Sequence, residues 1–162
     1  GDLAAMLDYV VGLPADWQLL KLAMPNKQQK IIASGGDGPW QRVAFVKNPV
    51  STVAQLGSAA GARQLLATAV PFYRPVDVAM QYSFELEIRA EAIWPLIFKP
   101  DLSFESNINT KQKQSVKRSV FYWQRLYFLL ANLKHNLQHY GLLALLKALK
   151  WPNPTGWTRM SN

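Results

Sequence analysis

The chain has 162 residues, 49% of them apolar, enough to bury a single core without metal or disulfide staples, so one compact domain is the default. The absence of cysteine excludes a disulfide framework, cysteine-type zinc sites and thiol nucleophiles, and fits a reducing, cytoplasmic setting. The net charge of +8 is unevenly placed: residues 1–105 carry 9 Lys/Arg against all 10 Asp/Glu, whereas residues 106–162 carry 9 Lys/Arg and no acid. A near-neutral front and a uniformly basic rear point to an anionic partner for the rear. The same division separates a mixed α+β part, residues 1–105, from a basic helical part with a Pro/Trp tail, residues 106–162.

Taken in order, Leu3, Met6, Leu7 and Val10 follow Asp2 at helical spacing, and Gly12 and Pro14 end the segment. Residues 15–24 read as a second short helix, stopped by Pro25 and Asn26. From Gln29 the period changes to two. Residues 30–34 and 40–47 flank Gly35-Gly-Asp-Gly38 as a β-hairpin, closed by Asn48-Pro49. Ser51 or Thr52 is the expected cap of a helix from Val53 to Val70, whose small residues between Gly57 and Ala62 allow another element to approach closely. In residues 77–89, Tyr82, Phe84, Leu86 and Ile88 alternate with Ser83, Glu85, Glu87 and Arg89, the pattern of a half-buried strand. Residues 99–110 are turn-rich and polar, a linker by composition.

Residues 111–140 concentrate both apolar mass and positive charge. Lys111, Arg118, Arg125, Asn132 and His139 recur every seven residues beside Lys117, Gln124 and Gln138, one narrow polar stripe on a helix. The remaining surface, which includes Trp123, Leu126, Tyr127, Leu130, Leu133 and Leu137, is too broad for a lone surface helix. It has to be covered by the rest of the chain or by another protein, and the exposure of Trp123, Tyr127, Leu130 and Leu137 distinguishes the two. Gly141 ends or bends this helix before residues 142–150 resume helical composition. Charges and amides recur too often for a transmembrane span.

His135 and His139, the only histidines, stand four residues apart on one helical face, the spacing of a metal-binding pair. Position 136 is Asn rather than the glutamate of the zinc-protease motif, and no acid follows Glu105 to serve as third ligand, so neither metal nor cofactor is expected. The glycine turn, the strand ending in Lys47 and the helix expected after it resemble the small lobe of kinase-like phosphotransferases over about forty residues. That resemblance implies a phosphate-holding lysine paired with a helical glutamate, yet no acid lies between Asp37 and Asp77 and the large-lobe motifs are absent. Glu85 and Glu87 share a face with Arg89, as the wet side of any amphipathic strand would. Basic side chains interleaved with aromatics, Lys111, Lys113, Lys117, Arg118, Tyr122, Trp123 and Arg125, then Lys147, Lys150, Trp151, Trp157 and Arg159, suit phosphates and bases.

These readings predict an α+β fold: a small antiparallel sheet from residues 29–34, 40–47 and about 76–89, covered by helices at 3–24 and 52–70, with a long basic helical C-terminal segment. The expected function is a non-enzymatic binding module. Lys111, Lys113, Lys117, Arg118, Arg125, Lys147 and Lys150 would contact nucleic acid or another anionic surface. Two alternatives stand beside it: a subunit packing into a larger protein assembly or at a membrane surface through Trp123, Tyr127, Leu130 and Leu137, and a metal-dependent enzyme using His135 and His139.

Overall fold

The computed structural model describes residues 2–24, 29–36, 38–50, 52–71, 73–98 and 118–150. The fold is α+β, as the sequence implies, but the sheet is mixed rather than purely antiparallel. Its elements run α1 (Asp2–Val11), β1 (Leu19–Lys21), β2 (Ile31–Gly35), β3 (Gln41–Phe45), β4 (Gln55–Gly57), α2 (Ala59–Thr68), α3 (Val76–Gln81), α4 (Ser83–Leu86), β5 (Ala90–Trp94) and α5 (Arg118–Lys150). The strands lie in the order β2-β3-β5-β1-β4, with β1 and β5 parallel and the other neighbours antiparallel.

The first helix and the glycine-turn hairpin form where the sequence places them; three other segments differ. Residues 15–24 supply β1 instead of a helix, because Leu19, Leu20 and Lys21 are buried on both faces of the sheet, and a short apolar run has no period that separates strand from helix. Residues 52–70 divide into β4 and α2. The cap is Ser58, whose Oγ accepts from the Gly61 amide at 3.0 Å, and β4 pairs with β1 as an edge strand. Residues 77–89 form α3 and α4 rather than a strand: buried Met80, Ser83 and Leu86 recur every three residues, and the strand, β5, starts only at Ala90. Glu85 and Glu87 therefore share no strand face. Glu85 pairs with Arg74, and Glu87 closes α4 in the left-handed region at φ 50°.

Register and alternation put Leu20, Arg42, Ala44, Glu91 and Ile93 on one face of the sheet, and Leu19, Lys21, Val43, Ala90 and Ala92 on the other. On the second face Leu19 packs with Met80, Leu86 and Ile88, backed by Leu65 and Ala69 of α2. Lys21 lies on this face; burial holds its ammonium down at about 8, opposed by the charge of Asp77. The first face is shared by two helices. Met6 and Val10 of α1 meet Leu20 and Ile93, while Leu145 and Ala148 of α5 meet Ile32 and Ala44.

The small residues of α2 serve close approach at one position. A Cβ on Gly61 would overlap the backbone carbonyl of Gln18, which also accepts from the Ser58 amide at 3.0 Å, so α2 rests directly on the chain entering β1. Gly61→Ala is expected to cost about 1–3 kcal/mol in urea denaturation despite alanine's better helix propensity. Gly57→Ala, with nothing within 4 Å of the added carbon, should change stability by less than about 0.5 kcal/mol.

Candidate interaction surface

Helix α5 is long, amphipathic and oriented against the usual rule. At about 100° per residue, Asn132 and Asn136 lie about 40° apart, and Leu126, Leu130, Leu133 and Leu137 fall about 100–160° from Asn132. The asparagine side faces inward. Asn136 is 3% exposed and Asn132 is also buried, and both donate their Nδ2 hydrogens to one acceptor, the Val46 carbonyl just beyond β3, Asn132 at 2.6 Å and Asn136 at 2.8 Å. Phe128 completes this seat, edge-on to Tyr82 at 4.9 Å and Phe84 at 5.4 Å between centroids. Lys47 lies over the Phe128 ring at 5.1 Å, a cation–π contact at this seat.

The four residues that discriminate between internal and external packing are all exposed: Trp123 at 72%, Leu130 at 58%, and Tyr127 and Leu137 less so. Tyr127 keeps one edge on Phe84 at 6.0 Å and bonds to Glu85, yet over half its surface stays open. Leu126, Leu129 and Leu133 extend the open face. Gly141, at φ 79° and ψ 166°, breaks the helix, and Leu142, Leu143, Leu146 and Leu149 carry the apolar exposure onward. Arg125, Lys134, Lys147 and Lys150 are exposed on the same helix. Lys111, Lys113 and Lys117, the side chain of Arg118, and Trp151, Trp157 and Arg159 lie outside the described residues.

Between α1 and α5 the shared sheet face opens into a cleft of about 470 Å³, lined by Asp16, Gly35, Gly36, Arg42, Arg89, Glu91, His139 and Tyr140. At its base Arg42 forks onto Asp16 through bonds of 2.7 and 3.0 Å, and Arg89 reaches Asp16 Oδ2 at 2.7 Å. These two guanidinium bonds hold the Asp16 carboxyl well below its usual range. Glu91 is buried, with Arg42 Nε at 3.1 Å and Arg89 Nε at 3.6 Å from its Oε2; burial outweighs these cations and raises its carboxyl. Burial, then the Glu91 charge, pushes the Tyr140 hydroxyl up to about 12. Two guanidinium and two carboxylate groups answer one another here, a neutral network that pins loop 12–18 to the sheet. Sequence reading missed it; the one available signal was Glu91, a lone acid within the otherwise apolar Ala90-Glu-Ala-Ile-Trp94.

The rings of His135 and His139 lie tilted at 51° to one another with centroids 4.4 Å apart. Among the described residues no cluster of three or more His, Cys, Asp or Glu could hold a metal. Burial, then the neighbouring His139, lowers His135 to about 4.

Two measurements test this arrangement. Phe128→Ala should cost about 3–5 kcal/mol in chemical denaturation, because it empties the inward seat, whereas Leu130→Ala should change the isolated chain by less than about 0.5 kcal/mol. Between pH 6.5 and about 4 the unfolded chain protonates at His135 while the folded chain does not, so stability falls as pH drops through that window. His135→Asn should flatten the fall in a pH series of unfolding curves.

No protein-family model matches the chain, and comparison with curated proteins and with solved structures finds no match either.

Proposed function

We propose that this chain is a non-enzymatic interaction module that docks through the outward face of α5. The observation that carries the reading is the inversion of that helix: its amides are buried against Val46 and its leucines face outward. Isolated soluble domains rarely expose contiguous apolar patches beyond a few hundred Å², and larger ones mark surfaces that are covered in use. Leucine supplies most of that patch, with Phe121, Tyr122, Trp123 and Tyr127 exposed only toward its N-terminal end; leucine offers bases no π-face to stack on, which favours apolar docking over nucleic-acid contact as the use of this helix. The described cations, Arg125, Lys134, Lys147 and Lys150, then act at the margin of an apolar contact.

Leu130→Glu combined with Leu133→Glu tests the reading. Both side chains are exposed, so the melting temperature of the double variant should stay within about 2 °C of the parent. Surface activity of the chain, read as binding to an octyl-agarose matrix, should fall at least about tenfold. Retention of the double variant as strong as that of the parent would contradict docking through this face.

A further inference from the structure

We propose that the occupant of the α5 face is an anionic lipid surface, on which the helix lies in the plane of the headgroups; this rests on the docking reading above. Three observations select a bilayer. From Leu129 round to Tyr127 the exposed apolar positions span about 160° of helix surface at about 100° per residue, with Lys134 near one edge, wider than the narrow seam that pairs two helices. It also continues past the Gly141 break onto Leu142, Leu143 and Leu146, so a protein partner would need a groove matched to two helical segments, whereas a fluid apolar layer needs no register.

The second observation is charge. Residues 106–162 contain 9 Lys/Arg and no acid, and Arg125, Lys134, Lys147 and Lys150 are exposed on the helix itself. A second copy of the chain would set these cations against like charges, while anionic headgroups answer them and leave the acyl boundary to the leucines. The third is the aromatic end. Tyr122 and Trp123 are exposed near the start of the helix, each with an apolar body and a polar tip suited to the headgroup level. No described helix is long and apolar enough to cross a membrane, so the contact is with one leaflet.

The experiment is flotation of the full chain with vesicles of phosphatidylcholine alone or with one third phosphatidylglycerol. Binding to the mixed vesicles should exceed binding to the neutral ones at least about tenfold, and should weaken as salt rises from about 0.1 to 0.5 M. Each exposed lysine near the surface contributes a factor of about five, so Lys134→Gln with Lys147→Gln should lower affinity about 25-fold. Leu130→Glu with Leu133→Glu should abolish flotation while circular dichroism and the melting temperature stay those of the parent. No flotation with mixed vesicles overturns the lipid assignment, and so does equal, salt-insensitive flotation with both. If flotation fails but the chain self-associates in light scattering and the glutamate pair abolishes that association, docking through the face stands and its occupant is a second copy. If flotation and self-association are both absent and the glutamate pair changes nothing, the docking reading falls as well.

Discussion

One carbonyl oxygen fixes how the C-terminal helix sits. The Val46 amide is already committed to the Lys30 carbonyl at 2.8 Å, so its own oxygen lies at a set position beyond β3, with two lone pairs to fill. Asn132 and Asn136, one turn apart, fill both. A buried polar group left without a partner costs about 1–3 kcal/mol, so rotating α5 about its axis to bury the leucines would turn the two amides out to water and leave the Val46 carbonyl without its two donors. That penalty opposes the pull of apolar burial, about 25 cal/mol per Å². The outward setting of Leu126, Leu130, Leu133 and Leu137 goes with that bonding.

The same sheet face explains the cleft. Residues Arg42 and Glu91 project from β3 and β5 into the space that α1 and α5 leave between them, where Asp16 and Arg89 close the network. Each cation has a carboxylate and each carboxylate a cation, so the base of the cleft is neutral overall and its charges are spent on one another. Only Glu91 is buried here, whereas Asp16, which takes both guanidinium groups, is half exposed. The network's place in the structure is to join the loop after α1 to the central strands through Asp16.

What was legible in the sequence followed from how local each signal is. Asp2 ahead of Leu3, Met6 and Val10 marked α1, and Gly35 to Gly38 between alternating runs marked the hairpin, because capping and turn chemistry act over a few residues. The order β3-β5-β1 was not legible, since the parallel pairing of residues 19–21 with 90–92 depends on segments about seventy residues apart. Alternation misled in residues 77–89, where Tyr82, at the junction of α3 and α4, and Phe84, within α4, face the Phe128 ring of α5. The breadth of the apolar surface on residues 121–140 was readable. Which way it faces was not: Asn132 lay on the predicted polar stripe, but only the structure brings the Val46 oxygen to it and to Asn136.

The absence of cysteine from the chain makes a direct test of that orientation possible. Single cysteines introduced as Leu130→Cys, Leu133→Cys, Asn132→Cys and Asn136→Cys can be timed against a thiol reagent under native conditions. The account predicts that the thiols at 130 and 133 react at nearly the rate of an unfolded control, and that those at 132 and 136 react at least about a hundredfold more slowly, through opening of the fold. Fast reaction at 132 and 136 with protection at 130 and 133 would mean that the helix buries its leucines, and would contradict the account.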